Sequence, residues 1–227
     1  MVLPQKIRKT MNNSFNEQTT AREQMLKKIR AALLTKTDSP ATVNEQPEAG
    51  LFVTDDADPT IAFAKRFTSL NGQFIYCSSR HEFAAFFRQW VAQKNLVDVF
   101  CVEPWLNRWT DEYQLPVQKN TELDQAEAVV TGCEALIALS GSVVVSSRQM
   151  MGRTSTVIPH IHAVVAFAYQ IVPEFIDAFD VIRERYQGEM PSMISTITGP
   201  SRTADIEKTL VLGAHGPKEI VLFLLQD

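Results

Sequence analysis

Residues 74–102 read FIYCSSRHEFAAFFRQWVAQKNLVDVFCV, and this run decides the fold. Residues 74–77 are a short apolar run of strand type. Ser79 and Glu82 follow as a capping box: the serine hydroxyl accepts from a free helical N–H and the glutamate reaches back to the cap. Phe83, Phe86, Phe87 and Trp90 then recur at helical spacing, which marks the buried stripe of a helix rather than a ligand cage. Residues 97–102 return to an apolar strand. Strand and helix in alternation predict a mainly parallel sheet with helices against its faces.

The pattern extends in both directions. Upstream, Asp58-Pro59 opens a helix with proline at its first position, and Ile61, Phe63, Ala64 and Phe67 line its buried side. Downstream, Trp105 and Trp109 follow Pro104 on a short helix. Residues 128–131, 142–145, 163–167, 193–198 and 219–225 read as further strands of the sheet, with a turn over 139–142. Pro173 opens a helix carrying Phe175, Ile176, Phe179 and Ile182. Ahead of all this, residues 1–19 are a polar tail. Thr20 and Glu23 form another capping box, and Met25, Leu26, Ile29, Ala32 and Leu33 share one helical face. That stripe docks within the chain or against a second copy. Residues 35–50 are a linker rich in turn residues. The predicted organisation is therefore a tail (1–19), a helix and linker (20–50) and one α/β domain (51–227).

Composition narrows the function. The chain has 227 residues, 45% of them hydrophobic, enough for one sizeable core. A net charge of −4 gives no electrostatic footprint for nucleic acid. The three cysteines, Cys77, Cys101 and Cys133, are far apart, so they form no clustered iron–sulfur motif and no disulfide framework. No apolar run approaches the ~20 residues of a membrane span, and the basic N-terminus turns polar where a signal peptide needs apolar residues. A cytoplasmic location is expected.

Four segments can carry chemistry. Thr198-Gly199-Pro200-Ser201-Arg202-Thr203-Ala204-Asp205-Ile206-Glu207 follows a strand. Gly199 permits an unusual backbone path, while Ser201, Thr203 and Asp205 offer caps for a short helix. Free N–H groups there, with the Arg202 fork, suit a carboxylate or phosphate at the C-terminal edge of the sheet. Equally, Arg202 can pair with Asp205 or Glu207 and only fix the loop. A second segment runs from Thr131-Gly132-Cys133-Glu134 to Ser140-Gly141-Ser142, where small residues admit a ligand or simply turn the chain. Neither serine sits in a nucleophile elbow. In the third, Arg153 can bind a carboxylate, and His160 and His162, two apart on a strand, would face the same side. No third metal ligand is specified, so no metal site is assigned. The fourth is the rigid turn Gly213-Ala214-His215-Gly216-Pro217.

Several of these segments together resemble the LUD-domain family, of the lactate-utilisation protein C type. They are Thr131-Gly132-Cys133-Glu134, Pro159 to Val165, Ile171-Val172-Pro173 and, most specifically, the run from Gly199 to Glu207 with His215-Gly216-Pro217. The resemblance implies a fold like the glucosamine-phosphate deaminase, ribose-phosphate isomerase and CoA-transferase group. It implies a subunit without its own cofactor in a system oxidising L-lactate to pyruvate, with iron–sulfur clusters on partner subunits. His162, His215, Asp205 and Glu134 are then the catalytic candidates. Gly199, Ser201, Arg202, Thr203, Gly141, Ser142 and Arg153 are the candidates for holding a small organic anion. One departure stands out: relatives often carry an acidic residue and a threonine just before the glycine at 141, where this chain has Leu139 and Ser140. A stand-alone enzyme of CoA-transferase or formyl-tetrahydrofolate cyclo-ligase type, and a metabolite-sensing domain, are the alternative readings.

Overall fold

The structure is a computed structural model that describes residues 21–34, 58–101, 103–118, 122–150, 154, 156–206, 209–212 and 216–226. The chain divides into two units, Met1–Leu51 and Phe52–Asp227. The first holds α1 (Ala21–Leu34), on which Met25, Leu26 and Ile29 are exposed. Thr20 lies outside the described residues.

The second unit is α/β. α2 (Pro59–Ser69) starts at Asp58, whose carboxylate accepts from Thr60 N at 2.8 Å, with Pro59 at the first helical position. Its buried side is Ala62, Phe63 and Phe67, whereas Ile61, expected inside, is exposed. β1 (Gln73–Cys77) leads to α3 (Arg80–Lys94), capped by Ser79. Glu82 completes a variant of the expected box, because its carboxylate takes the backbone N–H and hydroxyl of Ser78, both at 2.6 Å. Then come β2 (Val99–Phe100), α4 (Pro104–Glu112), β3 (Ala128–Thr131), β4 (Ala135–Ile137), β5 (Ser142–Ser146), β6 (Ile161–Phe167), β7 (Ile171–Val172), α5 (Phe175–Arg185), β8 (Ile194–Ile197), β9 (Arg202–Ile206), β10 (Thr209–Leu212) and β11 (Glu219–Leu225).

Five strands form an all-parallel sheet in the order β1-β11-β6-β3-β2. β6 and β11 are apolar almost throughout because both their faces are covered. On one face, α3 and α4 pack Phe83, Phe87, Trp90, Leu106 and Trp109 against Ala163, Val165, Val221 and Phe223. On the other, Val164, Ala166, Leu222 and Leu224 meet Phe63 and Phe67 of α2 and Leu136, Val143 and Val145 of a second sheet. α5 covers the far side of that second sheet through Ala178 and Ile182. Among the described residues no helix is long and apolar enough to cross a membrane.

Two expectations need correction. Residues 142–145 and 193–198 do not join the parallel sheet: β5 and β8 pair antiparallel in the second sheet, order β7-β4-β5-β8. The reason is the tight turn after β4, since a short connection can only return a strand antiparallel. The second concerns residues 202–206, expected to start a helix. They are β9, paired antiparallel with β10.

Candidate functional site

The parallel sheet has a point where the chain leaves neighbouring strands in opposite directions. β2 runs on into α4, against one face, whereas β3 runs on into β4, against the other. In open α/β sheets, ligands are commonly held beyond the C-terminal strand ends at such a divergence. Glu103 spans it. This side chain is 5% exposed and accepts from Gly132 N at 3.0 Å and from the Trp105 indole at 2.7 Å. Burial pushes its carboxyl above the ordinary carboxylate range, and the nearby Glu134 adds to this, while the two hydrogen bonds oppose it. A carboxyl so placed can hold a proton or pass one to a ligand.

Glu134, from the same β3–β4 connection, is 1% exposed and fully engaged. It accepts from Ser146 Oγ at 2.5 Å and Tyr186 Oη at 2.7 Å, and pairs with Arg185. It therefore ties the end of α5 to β5. Burial and the Glu134 charge hold the Tyr186 hydroxyl above its usual range. Gln170 fixes the neighbouring loops, accepting from Phe167 N at 2.9 Å and donating to Cys133 O at 2.7 Å. Gly132 fits closely here: a Cβ would lie 3.0 Å from Trp105 and 3.1 Å from Glu103 Oε2, so those side chains would have to give by a few tenths of an ångström. An aromatic wall flanks the carboxylates. Tyr169, 71% exposed, stacks on Phe167, which touches Trp105 and Trp109, and the Arg80 guanidinium lies 4.7 Å over Trp109.

The sequence-derived anion residues converge elsewhere. Ser142 Oγ lies 2.7 Å from both Ser140 Oγ and Thr198 Oγ1. Gly141 (φ 64°) and Gly199 (φ 90°) both press against α2: a Cβ would come 2.6 Å from Phe67 N and 2.8 Å from Leu70 O, respectively. Arg202 Nη2 reaches Leu70 O at 3.4 Å, and Ser201 N donates to Pro217 O at 2.9 Å. Leu70 and Pro217 precede β1 and β11. The cluster thus sits at the N-terminal edge of the parallel sheet, not the C-terminal edge expected. With β9 a strand, no helix N-terminus stands there, and the one contact described for the Arg202 guanidinium is to the carbonyl of Leu70, the C-cap residue of α2. Its expected partners cannot be placed against it, since the Asp205 side chain and Glu207 lie outside the described residues.

Thr203 and Asp205 lie on β9, with side chains outside the described set, and Arg153 and His215 lie outside it altogether. His160 precedes β6 and is exposed, so it does not share a strand face with His162 as expected. His162 is 0% exposed, between the sheets, with Nε2 2.7 Å from Thr131 Oγ1. Burial pulls its pKa down to about 4. Among the described residues no three His, Cys, Asp or Glu side chains gather as metal ligands. Glu134 is among the residues named from the sequence and Glu103 is not, because, ahead of Pro104, it looks only like the residue before a helix. The strand-end position was the available signal.

Residues 62–225 match the LUD domain. The chain is 34% identical over 129 residues to the protein named Lactate utilization protein C of Bacillus subtilis, covering 54% of each. It is 32% identical over 141 residues to that of Geobacillus kaustophilus, covering 61% of this chain and 54% of the relative. The chain spans about half the length of these curated relatives. A crystal structure of a DUF162 family protein from Deinococcus radiodurans shares the fold, with a TM-score of 0.51 and 22% identity over 74% of this chain and 97% of that one. Because the domain match covers most of the chain, including both strand-end clusters, this protein belongs to the LUD domain family.

Proposed function

We propose that this chain serves lactate utilisation as the cluster-free subunit of a system that oxidises L-lactate to pyruvate. The observation that carries this reading is the similarity to proteins named Lactate utilization protein C, together with the LUD match. The cysteines support the division of labour. Cys77 and Cys101 pack in the core on one face of the sheet and Cys133 in the core on the other. The two electrons leaving lactate would therefore pass to iron–sulfur partners. A small organic anion is held at the Ser142–Thr198–Arg202 cluster, whose convergence supports that role. Deleting the gene for this chain should abolish growth on L-lactate as sole carbon source, and the full chain supplied in trans should restore it. Undiminished growth of the deletion strain would overturn the reading. Calorimetry of wild type and Arg202→Ala with L-lactate and pyruvate tests the anion site: binding present in the first and lost in the second supports it, and equal binding removes it.

A stand-alone enzyme is favoured by one observation, the buried Glu103 carboxyl at the strand ends, held above the ordinary carboxylate range by burial. On that reading Glu103→Gln, which cannot carry the exchanging proton, should abolish turnover of an added thioester while leaving ligand affinity within about twofold.

A further inference from the structure

Two helices present exposed apolar faces bordered by charges of opposite sign. α1 is exposed at every described side chain, residues 23–31. Met25, Leu26 and Ile29 share one side of it, and by helical spacing Lys28 and Arg30 border that stripe on its two edges. α5 turns Ala178 and Ile182 into the core against the second sheet. Its other side leaves Phe175 and Ile176 exposed, with Phe179 lying against Phe175 at 4.9 Å between ring centroids. Glu174, Asp177 and Asp180 stand in the same turns. Arg183 answers one of them, pairing with Asp180 at 2.6 Å. The imbalance extends along the chain. Residues 1–51 contain 8 basic and 5 acidic residues, a net +3, whereas residues 52–227 contain 14 basic and 21 acidic, a net −7. Single apolar residues on a surface are ordinary, but contiguous rows of them with a charged rim mark contact surfaces.

We propose that α1 of one copy docks on the outer face of α5 of a second copy, and reciprocally, so that the chain forms a two-fold dimer. Met25, Leu26 and Ile29 cover Phe175, Ile176 and Phe179, and Lys28 and Arg30 meet the acidic residues around them. Charge selects this crossed pairing. Two α1 helices together would set Lys28 and Arg30 against their own equivalents, and two α5 helices would do the same with Glu174, Asp177 and Asp180. The second copy is the occupant because one chain carries both faces and leaves both exposed. A two-fold axis makes the contact twice, which doubles what either small patch could supply alone. The proposal stands independently of the lactate reading.

The test is the oligomeric state of the full chain. Sedimentation equilibrium over the micromolar range should find a dimer, and a monomer throughout would overturn the proposal. Ile29→Glu and Ile176→Lys each replace an exposed side chain, 48% and 60% accessible, so the fold should persist. Met25→Glu and Phe175→Lys stand in for either variant that alters the far-UV circular dichroism. Each variant alone spoils both contacts and should weaken dimerisation at least about a hundredfold. Mixed together, Ile29→Glu and Ile176→Lys chains should recover a dimer, because the intact α1 of one meets the intact α5 of the other. Its Kd should lie between that of wild type and that of either variant. A dimeric Ile176→Lys beside a monomeric Ile29→Glu would mean that α1 pairs with α1, and the reverse that α5 pairs with α5; either overturns the crossed arrangement. So does a mixture no tighter than its components, or a dimer that neither variant weakens.

Discussion

Thr131 is the hydrogen-bond partner of His162 inside the fold. Its hydroxyl has one proton, and the oxygen lies 2.8 Å from Gly132 O and 2.7 Å from His162 Nε2. With that proton on the carbonyl, Nε2 must carry the ring hydrogen and donate, which leaves Nδ1 an acceptor with no donor among the described residues. The site is built for a neutral ring. Burial lowers the folded pKa to about 4, whereas the unfolded chain titrates near the ordinary 6.5. The depressed value means that the unfolded chain takes up the proton first. The contribution of His162 is therefore complete above pH ~6.5 and is lost as pH falls towards 4, by about 3 kcal/mol in all. Denaturant midpoints at pH 7.5 and 4.5 should diverge much less for His162→Gln than for wild type. Parallel loss in both chains would remove His162 as a cause of acid lability. The sequence singled out this histidine by its spacing from His160 and by the motif that resembles the LUD-domain family. Spacing cannot report that its ring lies between two sheets, because the second sheet is built from residues distant in sequence.

At the level of elements, two glycines with positive φ make contrasting demands. Gly141 ends the tight turn between β4 and β5, and a Cβ there would lie 2.6 Å from the backbone nitrogen of Phe67. Gly188 also has positive φ, but nothing lies within 4 Å of its Cβ position. Gly188→Ala should cost only the left-handed strain, about 1 kcal/mol. Gly141→Ala adds a clash with helix backbone and should cost at least about 3 kcal/mol. Guanidinium unfolding of the two variants compares them directly. Equal losses would mean that α2 yields to the new methyl. The Ser140–Ser142 turn was legible because its residues are turn formers. β4 was not, since Ala135-Leu136-Ile137 is too short to show a period. The β9–β10 hairpin was missed because Ser201, Thr203 and Asp205 are all good helix caps, and local preference there gave way to antiparallel pairing of Arg202, Thr203 and Ile206 with β10.

For the whole molecule, the cysteines report how the two cores open. All three are buried, reduced and at or just beyond the C-terminal ends of parallel strands. Burial pushes the Cys77 and Cys101 thiols up to about 12, and Cys133 higher still, so at neutral pH almost no thiolate exists in the folded chain. An aromatic disulfide reagent attacks only the thiolate, so labelling must wait for opening. In guanidinium all three should react at once; under native conditions each should react at least about a thousandfold more slowly. The order carries the information. Cys101 follows β2, the two-residue strand at one edge of the sheet, while Cys133 lies between the two sheets. Fraying of the β2 edge would expose Cys101 alone, whereas Cys133 needs the sheets to part. Mass spectrometry of partly labelled chain should therefore find Cys101 modified first. Simultaneous modification of all three would mean that the cores on the two faces of the sheet open as one cooperative unit. Immediate reaction of any one in the native chain would contradict the burial itself and would reopen the question of a thiolate site in this subunit.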